Sequence, residues 1–181
     1  MSFRTQVLID ELLIIIKDNH SVVKGLQKES TEILNQQPST KYWSALACIK
    51  HINWYDAYYL HIIDEKLEEA ASSDVDYFKP GFFGYRFANF LHPDNYQIKT
   101  KTFPSMNPIR SNLDPSVLDT FLDHQSILSN QLERSRSVDM NKIKIKSSIT
   151  GLLQFKLGDL FRILVFHDLR HMRQAKRALN R

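Results

Sequence analysis

Apolar side chains recur at helical spacing in four stretches of this chain. In the first, Phe3, Val7, Leu8, Leu12, Ile15 and Ile16 fall on one helix face, and Val22, Val23, Leu26, Ile33 and Leu34 continue the pattern until Pro38 ends it. The spacing predicts one helix over about 30 residues, with Gly25 as the place for a kink. The second stretch runs from about residue 42 to 71, with Ser39 or Thr40 as its expected cap. Its early half is rich in Trp, Tyr, Ile and Ala, and its later half is a solvated run of Asp64, Glu65, Lys66, Glu68 and Glu69.

The pattern then fails between residues 72 and 112. Pro80, Pro93, Pro104 and Pro108 lie there with Gly81 and Gly84. A connection of this length carries function or short elements of its own. It is not a polar linker, because Phe82, Phe83, Tyr85, Phe87, Phe90 and Leu91 need burial, either in a short helix laid over the helices or at a partner surface. Packing is the simpler expectation.

A third helix opens at Asp114 as N-cap with Pro115 in the first turn, and Val117, Leu118, Phe121, Leu122, Ile127, Leu128 and Leu132 carry it to about Ser135. From residue 138 to 154 a second connection includes the alternation Lys142-Ile143-Lys144-Ile145-Lys146, which suits a brief extended stretch. A last helix is expected over residues 158–180. Four long helices with two substantial connections predict an all-α, four-helix bundle whose order is not simply up-down-up-down, with the long aromatic-rich connection between helices 2 and 3.

Composition agrees. The chain has 181 residues, the size of one domain, and residues 1–181 are read as a single unit. It holds 21 Leu and 16 Ile against 7 Val, and only 5 Gly and 6 Pro, a balance that favours helix over sheet. One cysteine cannot form an internal disulfide, so no oxidising compartment is implied. The net charge is +4, with a basic cluster of Arg170, Arg173, Lys176, Arg177 and Arg181 near the end. That cluster reads first as cations complementing a helix C-terminus, and second as a phosphate-binding stripe. No apolar run has the length of a membrane span, and Asp10 and Glu11 interrupt the first apolar stretch, unlike a signal peptide. The expected location is cytoplasmic, with no membrane or nucleic-acid partner.

Seven histidines remain, at 20, 51, 61, 92, 124, 167 and 171. His167 and His171 lie four apart, so on a helix both imidazoles share a face and could reach one metal ion. Their stripe continues the apolar positions Leu160, Ile163 and Leu164, then runs on to Gln174 and Ala178. Two buried imidazoles need either a metal or a set of hydrogen bonds. His51 is the best third ligand: its face reads Ser44, Ala47, Cys48, His51, Tyr55, Tyr58, Ile62. Cys48 reads as a small buried residue rather than a soft ligand. The spacing leaves two accounts of His51, His167 and His171 open, a metal site and satisfied core histidines.

The stretches Lys41-Tyr42-Trp43-Ser44 and Cys48-Ile49-Lys50-His51-Ile52 resemble a family pattern. So do Leu157-Gly158-Asp159 and the run from His167 to Ala175, with Lys101-Thr102-Phe103-Pro104 and Leu113-Asp114-Pro115 between them. On these residues the chain resembles the DinB-like superfamily of bacterial four-helix bundles, also called DinB/YfiT-like metalloenzymes, over nearly its whole length. The resemblance implies an up-down-down-up order, a homodimer, and a divalent metal, zinc or nickel, held by the residues here numbered His51, His167 and His171. Three departures stand out: Ala47 where relatives often carry Glu, Asp168 where they carry Glu, and Ser147-Ser148 in place of a Ser-Pro step. None removes a ligand.

Three imidazoles leave coordination positions open, the layout of a catalytic site. The resemblance implies a metal-dependent transferase that activates a low-molecular-weight thiol such as bacillithiol as co-substrate for attack on a small-molecule electrophile. The alternatives are a metal-dependent hydrolase using metal-bound water, and a non-catalytic, stress-related metal- or ligand-binding protein. Tyr55, Arg170 and Gln174 are the expected polar groups behind the ligands or lining the substrate, with Gln174, one turn past His171, placed to hydrogen-bond a ligand imidazole or a bound water.

Overall fold

The computed structural model describes residues 1–95, 102–109, 112–148 and 151–179. The described residues include six α-helices, two short 3-10 turns and two small antiparallel sheets. The helices are α1 (Thr5–Leu26), α2 (Thr31–Asn35), α3 (Ala45–Glu68), α4 (Phe82–Leu91), α5 (Ser116–Arg134) and α6 (Leu157–Leu179). The strands are β1 (Phe3–Arg4), β2 (Tyr77–Phe78), β3 (Lys144–Lys146) and β4 (Gln154–Lys156).

The first stretch is not one helix. It divides into α1 and α2 because residues 27–29 form turns and Ser30 starts a new helix, its hydroxyl accepting from the Ile33 amide at 3.4 Å. The cap of α3 is Ser44, not Ser39 or Thr40; its hydroxyl accepts from the Ala47 amide at 3.1 Å, while Ser39 shapes the turn before it. Helix α5 opens at Ser116, with the Asp114 carboxylate accepting from the Ser116 amide at 2.8 Å. The Lys-Ile alternation becomes β3, paired with β4 so that Ile145 faces Phe155. Asn180, the expected end of the last helix, lies outside the described residues.

Helices α1 and α3 each pack against both α5 and α6. Two apolar clusters fill the space between them. One joins Leu8–Ile16 of α1, Tyr59–Leu67 of α3, Leu128 and Leu132 of α5, and Leu157–Val165 of α6. The other joins Val23 and Leu26 of α1, Ala45–Ile52 of α3, Val117–Leu122 of α5, and Met172 and Ala175 of α6. In each helix the break between clusters carries buried polar side chains: Asn19, then Asn53 and Asp56, then Gln125, then Asp168. A polar layer thus crosses the middle of an otherwise apolar interior.

Between α3 and α5 the chain holds β2, which pairs with β1, then α4, which packs on α6. Not all of its aromatics are buried: Phe82 and Phe83 are 70% and 62% exposed, whereas Phe87 and Leu91 pack against the first cluster. Arg162 of α6 fixes α4 in place. Its guanidinium is buried, donates to Asn89 Oδ1 at 2.9 Å and lies over the Phe3, Tyr85 and Phe166 rings. Asp159 completes the seam by accepting from the Gly81 amide at 2.7 Å. At Gly84 a Cβ would stand 2.5 Å from the Asp159 side chain, so only glycine lets α4 approach this closely. None of the helices, among the described residues, is long and apolar enough to cross a membrane.

Candidate metal centre

The Ser44 cap sets the start of α3, and His51 follows two turns later, facing α6. On α6, His167 and His171 occupy successive turns of one face. The three rings converge, with centroids 4.7 Å apart for His51 and His171, 5.1 Å for His51 and His167, and 4.6 Å for His167 and His171. One ligand nitrogen from each lies within 4.8 Å of the other two. His51 and His171 are 3% and 9% exposed, and His167 is half-buried.

Two of the rings are held from behind. His51 Nδ1 lies 2.8 Å from the Met106 carbonyl, which can only accept, so Nδ1 carries the proton and Nε2 keeps its lone pair. His171 Nδ1 lies 3.0 Å from Gln174 Oε1, which fixes the same tautomer. Metal-bound histidines are commonly oriented this way, by an acceptor on the far nitrogen. Burial pushes all three imidazoles below their ordinary pKa; the neighbouring rings and Arg170 add to it at His167, which falls to about 3, and at His171, which falls well down, while the Met106 carbonyl opposes it at His51. The rings are therefore neutral near pH 7, the form a metal needs. The donor set fits a divalent cation.

The trio forms part of the wall of a cavity of about 950 Å³. Trp43 packs on it, 4.8 Å from His51 and stacked at 5.6 Å on His171, with its indole N–H donating to Asn107 Oδ1 at 2.9 Å. Tyr55 stands edge-on to both His51 and His167 at 5.1 Å, and burial with the nearby Tyr59 raises its pKa, so its hydroxyl stays protonated. Arg170 also lines the cavity, with its Nη1 3.4 Å from the Phe90 carbonyl. Gln174 lines it too and meets His171. Tyr58, expected on the His51 face, is 40% exposed, and Tyr59 lines the cavity instead. At the far end the Tyr59 hydroxyl donates to Ser148 Oγ at 2.9 Å and accepts from the Ser148 amide at 2.8 Å.

The other histidines stand apart. His61 is exposed, His92 packs edge-on against Phe166, and His124 approaches Asp56 at 3.9 Å. Cys48 is buried and its thiol pKa is pushed up.

The residues missed from sequence are Met106, Asn107 and Asp56. The first two belong to the proline-containing segment over residues 102–109, whose short 3-10 turn Pro104–Met106 backs His51, and a backbone carbonyl leaves no signature in side-chain identity. Lys101, part of the motif quoted there, lies outside the described residues. Asp56 had a signal, a carboxylate inside an apolar helix face. It is fully buried with Asp168, and burial raises both carboxyl pKa values, that of Asp168 to about 8. Gln125 Nε2 donates to Asp168 Oδ2 at 2.9 Å.

The family model described as the DinB superfamily matches this chain over residues 16–175. No curated protein and no solved structure matches it.

Proposed function

The chain belongs to the DinB superfamily, and from that premise we propose that it is a metal-dependent S-transferase. In this reading His51, His167 and His171 hold one divalent ion, zinc or nickel, at the side of the cavity. The carrying observation is the convergence of three ligand nitrogens within 4.8 Å of one another on a cavity of about 950 Å³. A bound divalent cation supplies positive charge that favours a thiol in its thiolate form.

The rest falls to the chain. The Met106 carbonyl and Gln174 hold two imidazoles in the tautomer that leaves Nε2 free. Trp43 excludes water from one side of the trio and Tyr55 presents a protonated hydroxyl on the other. That hydroxyl would donate to the leaving group of the electrophile. The thiol sulfur forms a bond to an electrophilic carbon, the bond from that carbon to its leaving group breaks with the electron pair going to the leaving group, and the thiol proton goes to solvent. The cavity is large enough for two small molecules, being at the upper end of ordinary ligand pockets.

We also read the four long helices as an up-down-down-up bundle. The two apolar clusters support this order, since one joins the first halves of α1 and α6 to the second halves of α3 and α5, and the other joins the opposite halves. A homodimer and a cytoplasmic location belong to the same reading; light scattering at twice the 21.2 kDa chain mass tests the first.

The activity test supplies metal-loaded protein with bacillithiol and a chloro- or epoxide electrophile. The thioether conjugate is the expected product. Loss of electrophile at the same rate without thiol would assign hydrolysis instead, and no loss of either would leave a binding protein.

A further inference from the structure

Four cations line the cavity, and a single carboxylate among the described residues faces them. Lys41, Arg170, Arg173 and Arg177 form the cationic side, and the carboxylate is Asp94. Arg173 already takes Asp94 in an ion pair. Lys41 and Arg177 pair with no carboxylate among the described residues. A helix terminus does not account for this arrangement: Lys176 has the same place on α6 and faces solvent away from the cavity, while Lys41 comes from the segment before α3. Like charges gathered on one concave wall repel each other unless an anion sits between them.

We propose that this cavity takes a small molecule carrying an oxyanion, a carboxylate or phosphate, which Lys41 and Arg177 hold with Arg170 beside them while the rest of the molecule extends past Trp43 to the histidine trio. Arg177 lies six residues beyond His171, about 9 Å along the helix axis. The charged and reactive ends of the ligand are therefore separated by about two helical turns. Arg is suited to the task, because its planar fork meets carboxylate and phosphate oxygens in pairs. The inference rests on reading the cavity as a substrate site, and its test runs without metal and without turnover, so that failure of thiol transfer and failure of anion recognition are separate results.

The test uses metal-free full-length protein at fixed ionic strength and follows tryptophan fluorescence. Trp43 lines the cavity, whereas Trp54 lies outside it beneath Lys50. Succinate and inorganic phosphate are titrated, with succinamide as the uncharged match for succinate. Saturable change with at least one oxyanion and none with succinamide is expected. The double variant Lys41→Gln/Arg177→Gln should weaken that binding at least tenfold, while Arg86→Gln, an exposed cation away from the cavity, should bind like the parent. No saturable response to either oxyanion, a succinamide response equal to theirs, full affinity in the double variant, or equal weakening by Arg86→Gln would each overturn the proposal.

Discussion

Gln174 accepts a hydrogen bond from His171 Nδ1 at 3.0 Å, one turn along the same helix. It therefore sets which nitrogen of His171 faces the other two imidazoles. Gln174→Ala should weaken metal affinity by about 10- to 100-fold, the usual cost of removing the acceptor behind a ligand histidine. Gln174→Glu, which keeps an acceptor, should retain most of it. Competition against a chromophoric chelator measures both.

The polar layer makes stability depend on pH in a defined direction. Burial holds the Asp168 carboxyl at about 8 in the folded chain, against an ordinary value near 3.9 when unfolded. Between those values the folded state keeps a proton that the unfolded state has released, so this contribution to stability is complete below about pH 4 and is lost as pH rises towards 8. The His167 contribution has the opposite sign, rising from about pH 3 to the unfolded value near 6.5 and then flat. From pH 6.5 to 8 the buried acid therefore dominates. Urea unfolding of metal-free protein should show stability falling over that interval, by up to about 1.4 kcal/mol per pH unit for each proton the folded state retains. In Asp168→Asn the slope should shrink, with the buried Asp56 carboxyl supplying what remains; an unchanged slope would remove Asp168 as a source.

At Gly84 the space for a side chain is taken by Asp159, whose carboxylate is tied to the Gly81 amide. Gly84→Ala should lift α4 from α6 and destabilise the protein by about 1–3 kcal/mol, the range for overpacking a tight contact. Because Phe87 and Leu91 of α4 also line the cavity, the same variant should loosen ligand binding. Thermal unfolding reads the first effect. Gly25→Ala, in α1 with nothing within 4 Å of the added carbon, is the comparison and should not destabilise.

The four long helices were legible because each carries enough apolar positions at helical spacing to fix its buried face. The break after α1 was not, since Ile33 and Leu34 keep the apolar spacing across the turn and only the Ser30 cap distinguishes a new helix. The aromatic connection contained a short helix, as its composition allowed, but Phe82 and Phe83 stand exposed because α4 turns only one narrow face to α6. At the site, the spacing of His167 and His171 follows from helix geometry, and His51 followed from the small and aromatic face around it. The groups that hold His51 and Trp43 from behind come from the segment over residues 102–109, which has no periodicity to align it with α3. The polar layer was hidden for a different reason: each helix contributes only one or two polar residues, and their shared level emerges only when the helices are set side by side.

The central claim is that His51, His167 and His171 together hold a metal, and metal content after exhaustive dialysis tests it most directly. Parent protein and the double variant His167→Ala/His171→Ala are loaded with zinc or nickel, dialysed identically, checked for helical content by circular dichroism and measured by elemental analysis. The account predicts about one ion per chain in the parent, as a single three-histidine site requires, and essentially none in the folded double variant. Equal metal content in the two would contradict it.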